Sequence, residues 1–176
     1  MRPVIVFDPS AQITGGIRLV PLVEALPSKT FVPLPVTGQD VQISNVTMLD
    51  GNYQEKEYFN SGEPLVIKID YIAHNKIEAP AFGIHIYDSN GVCFTSANTH
   101  VSQYKIDSIE GQGSIYYAME FVPFQPGVYR VRIDVWDKNM GMRDKQDEAA
   151  YLHVRGVSFT NGIFYTKGFW QQGDNE

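Results

Sequence analysis

Pro126-Gly127-Val128-Tyr129-Arg130-Val131-Arg132-Ile133-Asp134-Val135-Trp136 is the stretch on which the fold turns. The Pro-Gly pair sets a turn. After it, Tyr129, Val131, Ile133 and Val135 alternate with Arg130, Arg132, Asp134 and Trp136. A period of two predicts a strand with one face in a core and the other turned away. The same pattern recurs upstream. Leu65, Ile67, Ile69 and Tyr71 alternate within 65–74, and Phe82, Ile84 and Ile86 alternate with Gly83, His85 and Tyr87. Ser89-Asn90-Gly91 predicts a hairpin turn into a strand over 92–95, and Ile115, Tyr117, Met119 and Phe121 alternate again. Strands are also predicted over 41–49, 151–154 and 162–170, with 138–148 as a polar loop. Short strands at this spacing, with no helix-period segment of useful length, predict an all-β, Ig-like antiparallel β-sandwich.

Length and composition agree with that class. The 176 residues suit one core with an appendage. At 43% hydrophobic and 19% charged, the chain can bury a core, and 12% aromatics with 15 Gly and 10 Pro favour turn-rich β structure. The net charge of -6 gives no electrostatic reason for nucleic acid or anionic lipid as a partner. The single cysteine, Cys93, excludes an intrachain disulfide and a cysteine-built zinc site. No apolar run approaches the roughly 20 residues that span a bilayer. The run from Val4 to Phe7 is too short for a signal-peptide core, so a soluble, intracellular domain is expected. Pro3, Pro9, Pro21, Pro27, Pro33 and Pro35 mark residues 1–38 as an extended arm or linker. The sandwich is expected over 39–170, followed by a polar tail at 171–176.

Enzymatic chemistry is poorly represented. Phosphate-loop, dinucleotide-binding, zinc-protease and nucleophile-elbow motifs are all missing. Cys93 reads as a small core residue of a strand, and His74, His85, His100 and His153 share no ligand spacing. Asp137, Asn139, Asp144, Asp147 and Glu148 read as an acidic surface turn rather than a calcium loop, and the Asn45-Val46-Thr47 sequon as chance. A glycosidase needs two carboxylates roughly 5 to 9.5 Å apart. Asp134 has no evident carboxylate partner on the strands expected beside it. No cofactor, no metal and no catalytic residue is expected.

Strand parity selects a face. With the alternating apolar residues inward, three strands side by side in one sheet present His85, Tyr87, Arg132, Asp134, Trp136, Tyr151 and His153 outward. The opposite sheet's outer face is blander: Val66, Lys68, Asp70, Ile72, Tyr116, Ala118 and Glu120. Aromatic rings stack on the apolar face of a pyranose, and Asp and Arg meet its hydroxyls. Aromatic and Arg enrichment equally marks a surface that docks a protein or is covered by residues 1–38. On the sugar reading Trp136 is the stacking platform, flanked by Tyr87 and Tyr151, with Arg132, Asp134 and His85 on hydroxyls.

Ser61-Gly62-Glu63-Pro64-Leu65, Phe82-Gly83-Ile84-His85-Ile86, Gly91, Asn98-Thr99, Gly111 with Gly113, and Pro126-Gly127-Val128-Tyr129 occur in this order. With the closing Gly162-Ile163-Phe164-Tyr165 and Trp170, the series resembles the C-terminal domain of Wzt-type ATPases over about residues 40 to 170. These ATPases serve ABC transporters that export bacterial O-antigen, the polysaccharide of lipopolysaccharide. The resemblance implies a non-catalytic, cytoplasmic carbohydrate-binding module that recognises the polysaccharide, often at its modified non-reducing end, and couples it to export. It implies as partners the transporter's ATPase and membrane subunits at the inner-membrane face. A homodimer that exchanges its last strand is also implied. Two departures stand out: the ATPase domain is absent, and residues 1–38 match nothing in the family.

Overall fold

The computed structural model describes residues 4–5, 19–20, 40–156, 162–166 and 171. Its strands are β1 (Val4–Ile5), β2 (Leu19–Val20), β3 (Val41–Leu49), β4 (Tyr58–Asn60), β5 (Leu65–Glu78), β6 (Ala81–Tyr87), β7 (Cys93–Asn98), β8 (Ser108–Met119), β9 (Gly127–Trp136) and β10 (Met142–Arg155). Among the described residues there is no helix. The chain divides into two units, Met1–Val32 and Pro33–Glu176. In the first, β1 and β2 pair antiparallel through Val4–Val20 and Ile5–Leu19; the rest of the expected arm lies outside the described residues.

The second unit is a β-sandwich. One sheet has the order β4-β10-β9-β6-β7 and the other β3-β5-β8. Every pairing is antiparallel except β4 with β10, which is parallel. Alternation translates directly into packing. Val131, Ile133 and Val135 of β9, Ile86 of β6 and Leu65 and Ile67 of β5 expose no surface. Removing such side chains from water stabilises the fold by about 1.5–3 kcal/mol each. Tyr71 of β5 bridges the layers with its ring 5.3 Å from Phe82 of β6, and the fully buried Phe124, before β9, packs 4.9 Å from Tyr129.

One side of the sandwich is stitched shut. Asp144 accepts the Ile43 N–H at 2.6 Å, the Gln146 amide donates to the Ile43 carbonyl at 2.7 Å, and Arg143 pairs with Asp40. The opposite side is open, and a cavity of about 280 Å³ enters between β7 and β8 over Ile69, Phe82 and Ile84.

The structure corrects two local expectations. The expected loop 138–148 is a strand from Met142 onward, and only the turn Asp137–Gly141 precedes it. Two register shifts, at 142–144 and 146–150, break its alternation and disguise it as loop. Strand β4 falls in none of the predicted strands, since three residues carry no period. Cys93 is exposed rather than a core residue. It opens edge strand β7 beside a register shift, and its thiol faces the Thr95 carbonyl. Of the expected last strand, 162–166 is described. Phe164 bridges Phe124 and the Tyr165 N–H donates to the Pro123 carbonyl, while 157–161 and 167–170 lie outside the described residues.

Glu63 closes the turn before β5. It accepts from the Lys56 ammonium at 2.7 Å, the Asn60 N–H at 3.0 Å and the Asn60 amide at 2.7 Å. The Lys56 bond first, then those from Asn60, lower its pKa from 4.5 to about 2. A depressed carboxylate contributes its full stability above its unfolded value and loses it as pH falls through the folded one. Glu63→Gln is therefore expected to lower stability at pH 7 by about 1 kcal/mol, after discounting for solvent exposure. Urea unfolding across pH should show the two proteins converging as pH falls from 4.5 toward about 2.

Candidate functional site: the outer face of the five-stranded sheet

The outward face of β10-β9-β6 is organised around one carboxylate. Asp134 stands on β9 opposite Gly83 of β6, at a position whose parity points away from the core, yet it is only 2% exposed. Gly83 explains the burial: a Cβ there would sit 2.2 Å from Asp134 Oδ1. With no side chain in the way, the carboxylate occupies the space over Gly83, where three donors converge on it. Trp136 Nε1 donates to Oδ1 at 2.7 Å, while His85 Nε2 at 2.9 Å and Arg132 Nη2 at 2.8 Å donate to Oδ2.

Burial alone would raise the Asp134 pKa. The bonds from His85 and Trp136, with the charges of His85 and Arg132, overturn that and leave it below the ordinary value. The carboxylate is thus held ionised, and an ionised carboxylate only accepts. His85 Nε2 therefore carries a hydrogen. The other ring nitrogen lies 3.0 Å from the Ser96 hydroxyl on β7, so the imidazole is fixed at both ends. Arg132 Nε is buried without a hydrogen-bond partner, 3.7 Å from an Asp147 carboxylate oxygen.

His85, Arg132, Asp134 and Trp136 thus form one bonded cluster. The next row along the strands is Tyr151, Arg130 and Tyr87 in register. The Arg130 guanidinium lies 4.6 Å from the Tyr87 ring centre and donates to the Asp147 carbonyl. Tyr151, 47% exposed, gives its hydroxyl hydrogen to Glu148. His153 stands one row further out, opposite Val128 and Tyr58, its ring edge-on to Tyr58 at 5.7 Å. The seven selected residues share a face, with His153 at its far end.

Sequence reasoning missed Gly83, Ser96, Arg130 and Asp147 as parts of the site. Gly83 carried a signal: an isolated glycine inside an alternating strand marks a close approach by something across the sheet. The carboxylates near the turn are engaged structurally. Asp137 caps the turn through the N–H groups of Asn139 and Gly141 and pairs with Arg143. Among the described residues no three acidic, His or Cys groups are placed to hold a metal ion. Asn98 accepts the Val101 N–H at 2.7 Å and shapes the turn after β7.

Two sheets around one core, with a polar aromatic face on the larger, define a β-sandwich domain. The model of the Wzt C-terminal domain matches residues 37–166, and this chain belongs to that family. It is accordingly a domain associated with polysaccharide ABC transporters and distinct from their catalytic ATPase domain. The solved C-terminal domain of Wzt superposes with a TM-score of 0.69 at 12% identity, over 77% of this chain and 85% of that one, which shows the fold. A Bacteroides uniformis β-glucuronidase (TM-score 0.48, 11% identity, 65% of this chain, 14% of that one) carries no argument about function. The same holds for a Pseudomonas fluorescens alkylpurine DNA glycosylase (TM-score 0.43, 15% identity, 68% and 31%). No curated protein sequence matches significantly. No helix among the described residues is long and apolar enough to cross a membrane.

Proposed function

We propose that residues 39–170 are a non-catalytic module that binds an exported bacterial polysaccharide of the O-antigen kind on the outer face of β10-β9-β6. The carrying observation is the Asp134-centred cluster, which locks Trp136, His85 and Arg132 in place before any ligand arrives. Side chains already held lose little freedom on binding, so more of the stacking and hydrogen-bond energy appears as affinity. Trp136 is the platform for a pyranose ring, with His85 and Arg132 reaching its hydroxyls. Asp134, being buried, acts as a positioning residue through those three. Tyr87, Tyr151 and His153 extend the face along the strands, as a polymer requires.

In this reading the module works at the cytoplasmic side of the inner membrane, next to the transporter's ATPase and membrane subunits. It reads the non-reducing end of the glycan and couples recognition to export. It acts as a homodimer that exchanges its final strand, with 1–38 as an arm and 171–176 as a tail. The exposed Ile163, Phe164 and Tyr165 side chains support a partner for that strand.

Trp136→Ala is expected to lower affinity for the polysaccharide of the source strain about tenfold or more, since a stacked aromatic contributes about 0.5–1.5 kcal/mol beyond its buried area. Calorimetric titration of folded variant and wild type measures it. Unchanged affinity would turn the face into a protein-docking surface. Sedimentation at high concentration tests the dimer, and a monomer there removes strand exchange.

A further inference from the structure

The outer face of the β3-β5-β8 sheet carries an exposed aromatic pair that neither the core nor the Asp134 cluster uses. Tyr116 on β8 is 50% exposed and Tyr53, in the loop after β3, is 59% exposed. Their ring centres lie 6.0 Å apart, edge to face. Tyr53 has a φ of 61°, in the left-handed region where a side chain other than glycine is strained. Asp50 holds it there. Its carboxylate accepts the N–H groups of Asn52 at 2.8 Å and Gln54 at 3.0 Å, and its carbonyl accepts the Tyr53 N–H at 3.0 Å. The turn thereby holds the Tyr53 ring out from the sheet beside Tyr116.

Polar groups adjoin the pair. Lys68 stands in register with Tyr116, and Asp70 with Ser114. Asp70 accepts from the Lys68 ammonium and from the Ser114 hydroxyl. The ion pair leaves this patch locally neutral. Asp70, Gln112 and Ser114 line a hollow of about 480 Å³ together with Ser44 and Gly113.

We propose that this face is a second carbohydrate subsite. Tyr116 stacks the apolar face of a neutral pyranose, Tyr53, edge to face with it, walls the site, and Asp70, Gln112 and Ser114 take its hydroxyls. The inference rests on reading the domain as a glycan-binding module. A sugar fits because the Asp70 carboxylate, the Ser114 hydroxyl and the Gln112 amide stand along the same two strands as Tyr116, so hydroxyl partners accompany the ring. The locally neutral setting matches a neutral hexose rather than an acidic one. A polymer with many repeats offers ligand to both faces at once, and a second subsite raises avidity without new contacts at the first.

The test is the stoichiometry of short ligands. The full chain is titrated calorimetrically with mannotetraose, with galactotetraose and with tetrasaccharide-sized fragments of the source strain's O-polysaccharide. Two sites are expected. Trp136→Ala should leave one, Tyr116→Ala the other, and the double variant none, while Tyr53→Ala weakens the second site about tenfold. Unchanged urea midpoints for Tyr53→Ala and Tyr116→Ala confirm intact folding of these exposed positions. A single site, lost with Trp136→Ala and indifferent to both tyrosines, overturns the second subsite and leaves the first reading standing. A single site lost with Tyr116→Ala and indifferent to Trp136→Ala upholds it and removes the Trp136 face. No binding of any of these ligands overturns both.

Discussion

Asp134→Asn is expected to destabilise the domain by about 3 kcal/mol or more, the scale on which breaking a buried ion pair from one side falls. The carboxylate accepts on both oxygens, from Trp136 on Oδ1 and from His85 and Arg132 on Oδ2. An amide offers one accepting oxygen and one donating nitrogen, so whichever way it turns, at least one donor faces another donor. Arg132 also loses its closest counter-charge and keeps only the longer contact with Asp147. Urea unfolding at pH 7 reads the loss. The pH dependence gives a second check. Asp134's folded pKa is depressed, so its contribution is complete above the ordinary value of 3.8 and disappears as pH falls through the lower folded one. Wild type and variant should converge in that acid range. A loss of under about 0.5 kcal/mol at pH 7, the scale of an ordinary surface substitution, would mean that the cluster is ornamental.

Gly83→Ala should cost about 1–3 kcal/mol, the usual range for overpacking. It should also weaken glycan binding without touching the glycan. A Cβ at Gly83 would stand 2.2 Å from Asp134 Oδ1, 3.1 Å from its Cγ and 3.3 Å from His85 Nε2. The atoms in its path belong to a short side chain pinned by three donors, so the carboxylate must leave its place. Because Oδ1 is the acceptor for Trp136, the indole loses its anchor as well. The mechanism predicts non-additivity: once Asp134 is Ala, the second substitution should cost almost nothing. A double-mutant cycle between the two positions measures this, with a coupling of at least about 1 kcal/mol expected. Additive effects would show that Gly83 is needed for some other reason.

How much of this was legible beforehand depends on where information sits in the chain. Period two survives unbroken from Gly127 to Trp136 and from Ala81 to Tyr87, so parity selects the outward residues of β9 and β6 correctly. An Ig-like topology then sets those strands beside the C-terminal one, and the order β10-β9-β6 agrees. What parity does not report is depth. Asp134 and Trp136 share a face, but one is 2% exposed and the other half-buried, and the difference comes from Gly83 on another strand. Register across a sheet is non-local, and sequence spacing within β9 holds no trace of it. The start of β10 was hidden for a related reason, since its bulges shift residues from one face to the other in mid-strand. Tyr53 shows the same limit on the smaller sheet. Asp50-Gly51 signals a turn, but only the three-dimensional loop brings that ring to Tyr116.

The proposed site puts glycan against Trp136 on the outer face of the five-stranded sheet. The most direct measurement follows the indole N–H resonance of Trp136, assigned against a Trp136→Phe variant, while polysaccharide from the source strain is titrated into the full chain. Saturable shifts are expected at this resonance and at the His85 and Arg132 side chains, with one common dissociation constant. Saturable binding that leaves all three unmoved would contradict it.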